Sequence, residues 1–282
     1  MMVRFRFQCT VLLTFALLAA GTAQAAKKGA ITKPKLDPNA PVVELFKGME
    51  EGQLSTTLIQ KDSMSGNLLI ENLTKETITV DMPESFVGVH VLNQGFGGGG
   101  LGGGGLGGGG QQGGGGQTAG GGAGGGGLGG GGLGGGGQAG GGGFFSIPPE
   151  KVVRLAVTSV CLEHGKPEPS SRMEYHIFPV EHVSKDPILK ELLNLVASGR
   201  INKNVAQAAA WNIANGKSWQ ELAEMKFNRL GGLPDTPQFS HVELSYAQNL
   251  VAAATQRAAD KKESAPAEPE RRDRTGRVVS QR

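Results

Sequence analysis

Apolar and polar positions alternate with a period of two through the first half of the folded chain and with a period of about 3.6 beyond residue 184. Four stretches between Val42 and Leu92 have strand character: Leu54 to Gln60, Asn67 to Leu73, Thr77 to Met82 and Phe86 to Leu92. In the third, Ile78, Val80 and Met82 alternate with Thr77, Thr79 and Asp81; in the fourth, Val87, Val89 and Val91 share one face. Alternation resumes at Phe144 to Pro149 and at Lys151 to Leu162, where Val153, Leu155 and Val157 oppose Arg154, Ala156 and Thr158. Cys161 is in phase with the apolar face, so a regular strand points its thiol into the core. A last strand is expected from Arg172 to Val180. Roughly six to eight strands with no helix between them predict a mainly β domain, an antiparallel sandwich of immunoglobulin-like type.

The helical half carries its own punctuation. Asp186 and Pro187 form an N-cap and first-turn pair, Leu189, Leu192, Leu193 and Val196 form a stripe, and Gly199 closes the helix. A second helix starts at the cap Asn202 and stops at Asn215-Gly216. Ser218-Trp219-Gln220-Glu221 and Ser240-His241-Val242-Glu243 are capping boxes that open a third and a fourth, the last including Tyr246, Leu250 and Val251. A small helical region is therefore expected at 184–258, followed at 259–282 by a disordered tail rich in Glu, Arg and Pro.

The two parts of the predicted sandwich, 42–94 and 144–183, are separated by a glycine-rich, low-complexity insert at 95–143, in which Leu101, Leu106, Leu128 and Leu133 punctuate glycine quartets. Such a segment has much backbone entropy to lose and little apolar surface to bury, so a flexible, solvated loop at a hairpin tip is the expectation. A spacer and a self-associating glycine mesh are the functional alternatives. No Gly-Lys-Ser or Gly-Lys-Thr follows the glycines and no helix opens from them, which argues against a phosphate loop. Residues 26–41 contain Lys33-Pro34-Lys35 and Asp37-Pro38 and read as an exposed leader. Asn72-Leu73-Thr74 matches a glycosylation acceptor, but Asn72, Thr74 and Lys75 are ordinary turn residues between two strands.

The start of the chain changes the cellular setting. Arg4 and Arg6, the apolar run Val11 to Ala20 and the triplet Ala23-Gln24-Ala25 form a secretory signal over 1–25, with the mature chain starting at Ala26. That run is short of the roughly 20 residues a membrane-spanning helix needs, and no later segment reaches that length, so a soluble exported protein is expected in the periplasm, at the cell surface or outside the cell. Cys9 lies upstream of the apolar run and is no lipid-anchor site. The formal charge of +3 falls by two with the signal, which gives no electrostatic case for nucleic acid or anionic membrane. Cys161 then remains as a single thiol in an oxidising compartment, unable to form an internal disulfide.

Val160-Cys161-Leu162-Glu163-His164-Gly165-Lys166-Pro167 and the helix carrying Ala206-Gln207-Ala208-Ala209-Ala210-Trp211 resemble, together with the signal, an uncharacterised exported family of planctomycete-type bacteria. More distantly, a cysteine at a strand end followed by a helix with Gln207 and Trp211 is similar to the thioester domains of bacterial surface adhesins. That resemblance implies a covalent bond between the Cys161 and Gln207 side chains, shielded by Trp211, for attachment to an external amine or hydroxyl. Ala206 and Ala210 depart from the adhesin pattern, which has Thr and a larger aliphatic residue there. The alternative from the residues themselves is that Cys161 is a small buried hydrophobe and Gln207 lies on a solvent face.

Other constellations are thinner. His164, His176 and His182 with Glu163 and Glu181 lack paired ligand spacing, so no metal is assigned. Cys161 and His164 lack an orienting third group, and no catalytic residue or cofactor is assigned either. The sequence thus predicts a non-enzymatic exported protein with a binding or structural role, its partner a protein or envelope component, with thioester attachment as the alternative.

Overall fold

Leu54–Asp62 (β2) and Ser65–Asn72 (β3) form the hairpin on which the fold is built. Its turn is closed by Asp62, whose Oδ1 accepts from the Met64 amide at 2.8 Å and the Ser65 hydroxyl at 3.0 Å. In this computed structural model the described residues are 29–91, 118–122, 143–227 and 234–264. The signal segment 1–25, the tail from 265 onward and the insert apart from 118–122 and Gly143 lie outside the described residues.

β3 pairs antiparallel with Val152–Cys161 (β8). The order then runs through Ala119–Gly122 (β6), Phe86–His90 (β5) and Tyr175–Phe178 (β9), which returns to β2 at Leu58↔Tyr175. All neighbours are antiparallel and the six strands close a barrel. The chain is thus mixed α/β with antiparallel sheets and a small helical region. It does not form the two facing sheets of the expected immunoglobulin-like sandwich. The reason is β6, which occupies the gap between β5 and β8 where two separate sheets would have shown open edges.

Val42–Glu44 (β1), Ile78–Asp81 (β4) and Phe144–Ile147 (β7) make a separate three-stranded sheet, β1 parallel and β7 antiparallel to β4. Ile78, Val80, Phe145 and Ile147 pack with Leu58, Leu68, Ile70 and Tyr175 in one apolar cluster, so the small sheet and the barrel share a core. Leu45–Glu50 (α1) follows β1 directly, capped by Glu44, whose carboxylate accepts from the Phe46 and Lys47 amides at 3.0 and 2.8 Å. Sequence reading placed the onset of folding near Val42 but missed both elements, because three residues of strand and six of helix are too short to display a period.

Three other expectations are corrected. The strands on either side of the insert are not a hairpin, since β5 lies in the barrel and β7 in the small sheet. The leader is docked: the Ile31 amide donates to Val152 O at 2.8 Å, Arg154 N donates to Ile31 O at 2.8 Å, Ser146 N donates to Lys35 O at 2.8 Å and Asp37 N donates to the Ser146 hydroxyl at 2.7 Å. Its prolines exclude regular structure but leave carbonyl groups free to satisfy strand edges. The tail begins later than residue 259, because the last helix continues through Ser264.

Asn72 is more than a turn residue. It is fully buried, its Nδ2 donates to the carbonyls of Glu76 at 2.8 Å and Ile147 at 2.9 Å, and its Oδ1 accepts from the Thr74 amide at 2.8 Å and hydroxyl at 2.7 Å. The side chain that a glycan would need thus ties β3 to β7. Asn72→Ala leaves the buried Ile147 carbonyl short of a donor, while the Glu76 carbonyl keeps the Thr74 hydroxyl, and is expected to lower stability by about 1–3 kcal/mol, measurable in urea unfolding.

The helices cover one side of the barrel. Pro187–Ala197 (α2) is capped by Asp186 and Lys203–Asn215 (α3) by Asn202, and α3 ends on Gly216 at φ 63°. Trp219–Glu224 (α4) and His241–Ser264 (α5) open at Ser218 and Ser240, as the two capping boxes predict. α2 packs on β6 and β8, α3 packs on β8, and α5 crosses both helices. β8 records this cover in its burial: outward-facing Arg154 and Ala156 are exposed, whereas Val160 and Leu162, on the same face further along, are buried under helices.

Candidate functional site

Cys161 ends β8, where the ladder with β3 has run out. The last rung on that side is the Ser159 amide donating to Met64 O at 3.1 Å, so two residues on, the Cys161 N–H and C=O face no strand. Gln207 of α3 supplies the missing partner: its Oε1 accepts from the Cys161 amide at 2.9 Å and its Nε2 donates to the Cys161 carbonyl at 2.8 Å. A side-chain amide here has the donor and acceptor pattern of a peptide group and continues the sheet by one rung. The helix comes close enough because Ala206, Ala208, Ala209 and Ala210 present little bulk and are all buried. Gln207 is buried as well, which corrects the expectation of a solvent-facing side chain.

Structure therefore brings Cys161 and Gln207 together, through the cysteine main chain. The thiol is fully buried on the face it shares with Val157 and Ser159. Burial pushes it well above its ordinary pKa, the Glu168, Asp62 and Glu163 carboxylates add to the rise, and a hydrogen bond with Ser63 opposes it. A thiol held protonated is a weak nucleophile. The Tyr175 hydroxyl is raised to about 12, first by burial and then by neighbouring Cys161 and the Glu163 and Glu168 carboxylates. Trp211, one turn after Gln207, is buried and makes edge contacts with His164 at 4.6 Å and Phe239 at 5.8 Å between ring centroids.

The histidines weighed as ligands have separate partners. His164 meets Trp211, His182 stacks on Phe178 at 4.3 Å, and His176 lies 3.9 Å from Glu174. Glu181 pairs with Lys190 on α2.

Glu163 has a role that sequence reading missed. Its Oε2 accepts from both the amide and the hydroxyl of Thr118, each at 2.9 Å, and Lys166 holds the other oxygen. This clasp fixes the start of β6. The legible signal was Thr118 itself, the sole threonine in the insert. Burial works to raise the carboxyl pKa, but Lys166 and the two Thr118 donors outweigh it and hold the group below its ordinary 4.5. A lowered folded-state pKa contributes stability above about 4.5 that disappears as pH falls through the folded value. Hydrogen-exchange protection of the Ala119–Gly122 amides is expected to fall on acidification below that point, and to be low even at neutral pH in Glu163→Gln.

No family model, curated protein or solved structure matches this chain, so a functional reading rests on the residues and their geometry.

Proposed function

We propose that the protein is exported and acts without catalysis, through binding or structural association in the periplasm or at the cell surface. The observation that carries this reading is the engagement of the Gln207 amide by the Cys161 main chain, which makes the most chemically suggestive pair in the sequence a framework element. The protonated, enclosed thiol supports the same reading. The secretory signal supports the address, and among the described residues no helix is long and apolar enough to cross a membrane.

Covalent attachment through a thioester is the second reading, favoured by the proximity of the two residues. It requires the Gln207 amide to leave the main chain and present its carbonyl carbon to the Cys161 sulfur. The new C–S bond would form as the C–N bond breaks, and ammonia would depart with the thiol proton. Trp211 would shield the product. Intact mass of the exported chain, prepared without amines or reductant, separates the readings. The expected result is the full mass of a chain starting at Ala26, unchanged by methylamine. A mass short by one ammonia, converted to an adduct by methylamine and normal in Cys161→Ala, would overturn the non-covalent reading.

A further inference from the structure

β6 is held differently from the other barrel strands. Without it β5 would lose its partner at Phe86 to Gly88, and β8 would lose its partner at Thr158 to Cys161. Yet Ala119–Gly122 brings one methyl group to bury, so its place depends on main-chain hydrogen bonds and on the Thr118–Glu163 clasp. The slot is shaped for missing side chains. A Cβ on Gly120 would lie 2.8 Å from Leu193, one on Gly121 would overlap the Thr158 carbonyl, and one on Gly122 would lie 2.7 Å from Ala197.

Antiparallel neighbours are commonly joined by about two to five residues. Here residues 91–118 join β5 to β6, and 123–143 join β6 to β7. Connections of that length do not dictate which molecule fills the slot, because loop-closure entropy grows only logarithmically with length. The advantage of a chain's own strand is then an effective concentration, of about millimolar order for flexible tethers, which a concentrated protein can match.

We propose that the slot between β5 and β8 accepts the Thr118–Gly122 segment of a second copy, so that two chains exchange β6 reciprocally. Recognition is strand addition read by main-chain hydrogen bonds, with the absence of side chains at 120–122 as the steric filter and the Thr118 donors on Glu163 as the register mark. The exchange names a partner for the associative role proposed above and rests on that reading for its setting. Its failure would leave association with other envelope components standing.

Ala119 lies directly opposite Cys161, and the donation from Leu162 N to Thr118 O beside them makes 119 and 161 a non-hydrogen-bonded pair, with Cα atoms about 4.5 Å apart. A disulfide fits that spacing. A donor chain carrying Ala119→Cys and Cys161→Ala is therefore refolded with an otherwise unaltered acceptor that keeps Cys161, both starting at Ala26, and oxidised with diamide, so that the acceptor's own strand can fill the donor's slot in return. The expected product is a covalent heterodimer whose peptide map joins position 119 of the donor to Cys161 of the acceptor. Should the donor fail to fold, the single variant Ala119→Cys decides alone. Its 119–161 disulfide is expected to pass from within chains to between chains as concentration at refolding rises a hundredfold. A bond confined within chains at every concentration, or no 119–161 bond at all, overturns the proposal.

Discussion

Gly121→Val is expected to unfold the barrel, lowering the stability of the isolated chain by about 3 kcal/mol or more, while Gly29→Ala leaves the urea midpoint unchanged. A Cβ at Gly121 meets main chain, with the Ser159 Cα at 2.8 Å and the Thr158 carbonyl closer still, and backbone in the middle of a barrel strand has no rotamer by which to yield. The added side chain must therefore expel β6 or pull β8 out of register. Either outcome exposes the Thr158 to Cys161 edge and uncovers the barrel side of α2, where Leu193 packs over Gly120. Gly29, with nothing within 4 Å of where a Cβ would stand, tests the same chemistry in open space. Equal urea midpoints for Gly121→Val and the parent chain would show that β6 is dispensable to the fold.

Gln207→Leu is expected to be the second most damaging change, with a loss of about 2–4 kcal/mol, whereas Cys161→Ala loses about 1–2 kcal/mol. Leucine keeps the volume but removes a donor and an acceptor, leaving the buried Cys161 N–H and C=O unpaired at the end of β8. Alanine at 161 keeps that main chain and its amide partner, so only the sulfur's packing and its contact with Ser63 are lost. The ordering of the two variants is diagnostic. A stabilising thioester would make them equivalent, since either change prevents the bond; a framework amide makes Gln207 the more important residue.

Much of the secondary structure was legible because its signals are local. The alternation at Val153, Leu155 and Val157 and the caps at Asp186, Asn202, Ser218 and Ser240 correspond to β8 and to the starts of the four later helices. Barrel closure was not legible, because it depends on a strand with no apolar period at all: Ala119–Gly122 reads as coil by every local criterion and becomes a strand through the slot that receives it. The candidate pair was found from spacing and residue type, but which atoms meet was not. The ladder on that side of β8 stops two residues short of Cys161, and that is a fact of register between distant strands. The docked leader was hidden for a similar reason, since Ile31 and Lys35 bind through main-chain groups that every sequence possesses.

The clasp between Thr118 and Glu163 has a consequence for how this gene region can change with time. Tandem glycine codons invite slippage during replication, and a protein that relied on a fixed repeat count would be damaged by each gain or loss. Here the working unit is one five-residue word, Thr118 to Gly122, indexed by its hydroxyl rather than by its distance from either end. Quartets added to or deleted from 95–117 or 123–143 change the number of residues between that word and the neighbouring strands, and loop-closure entropy depends on that number only logarithmically. Natural variants are thus expected to differ freely in repeat number on both sides of that word while the word itself stays intact.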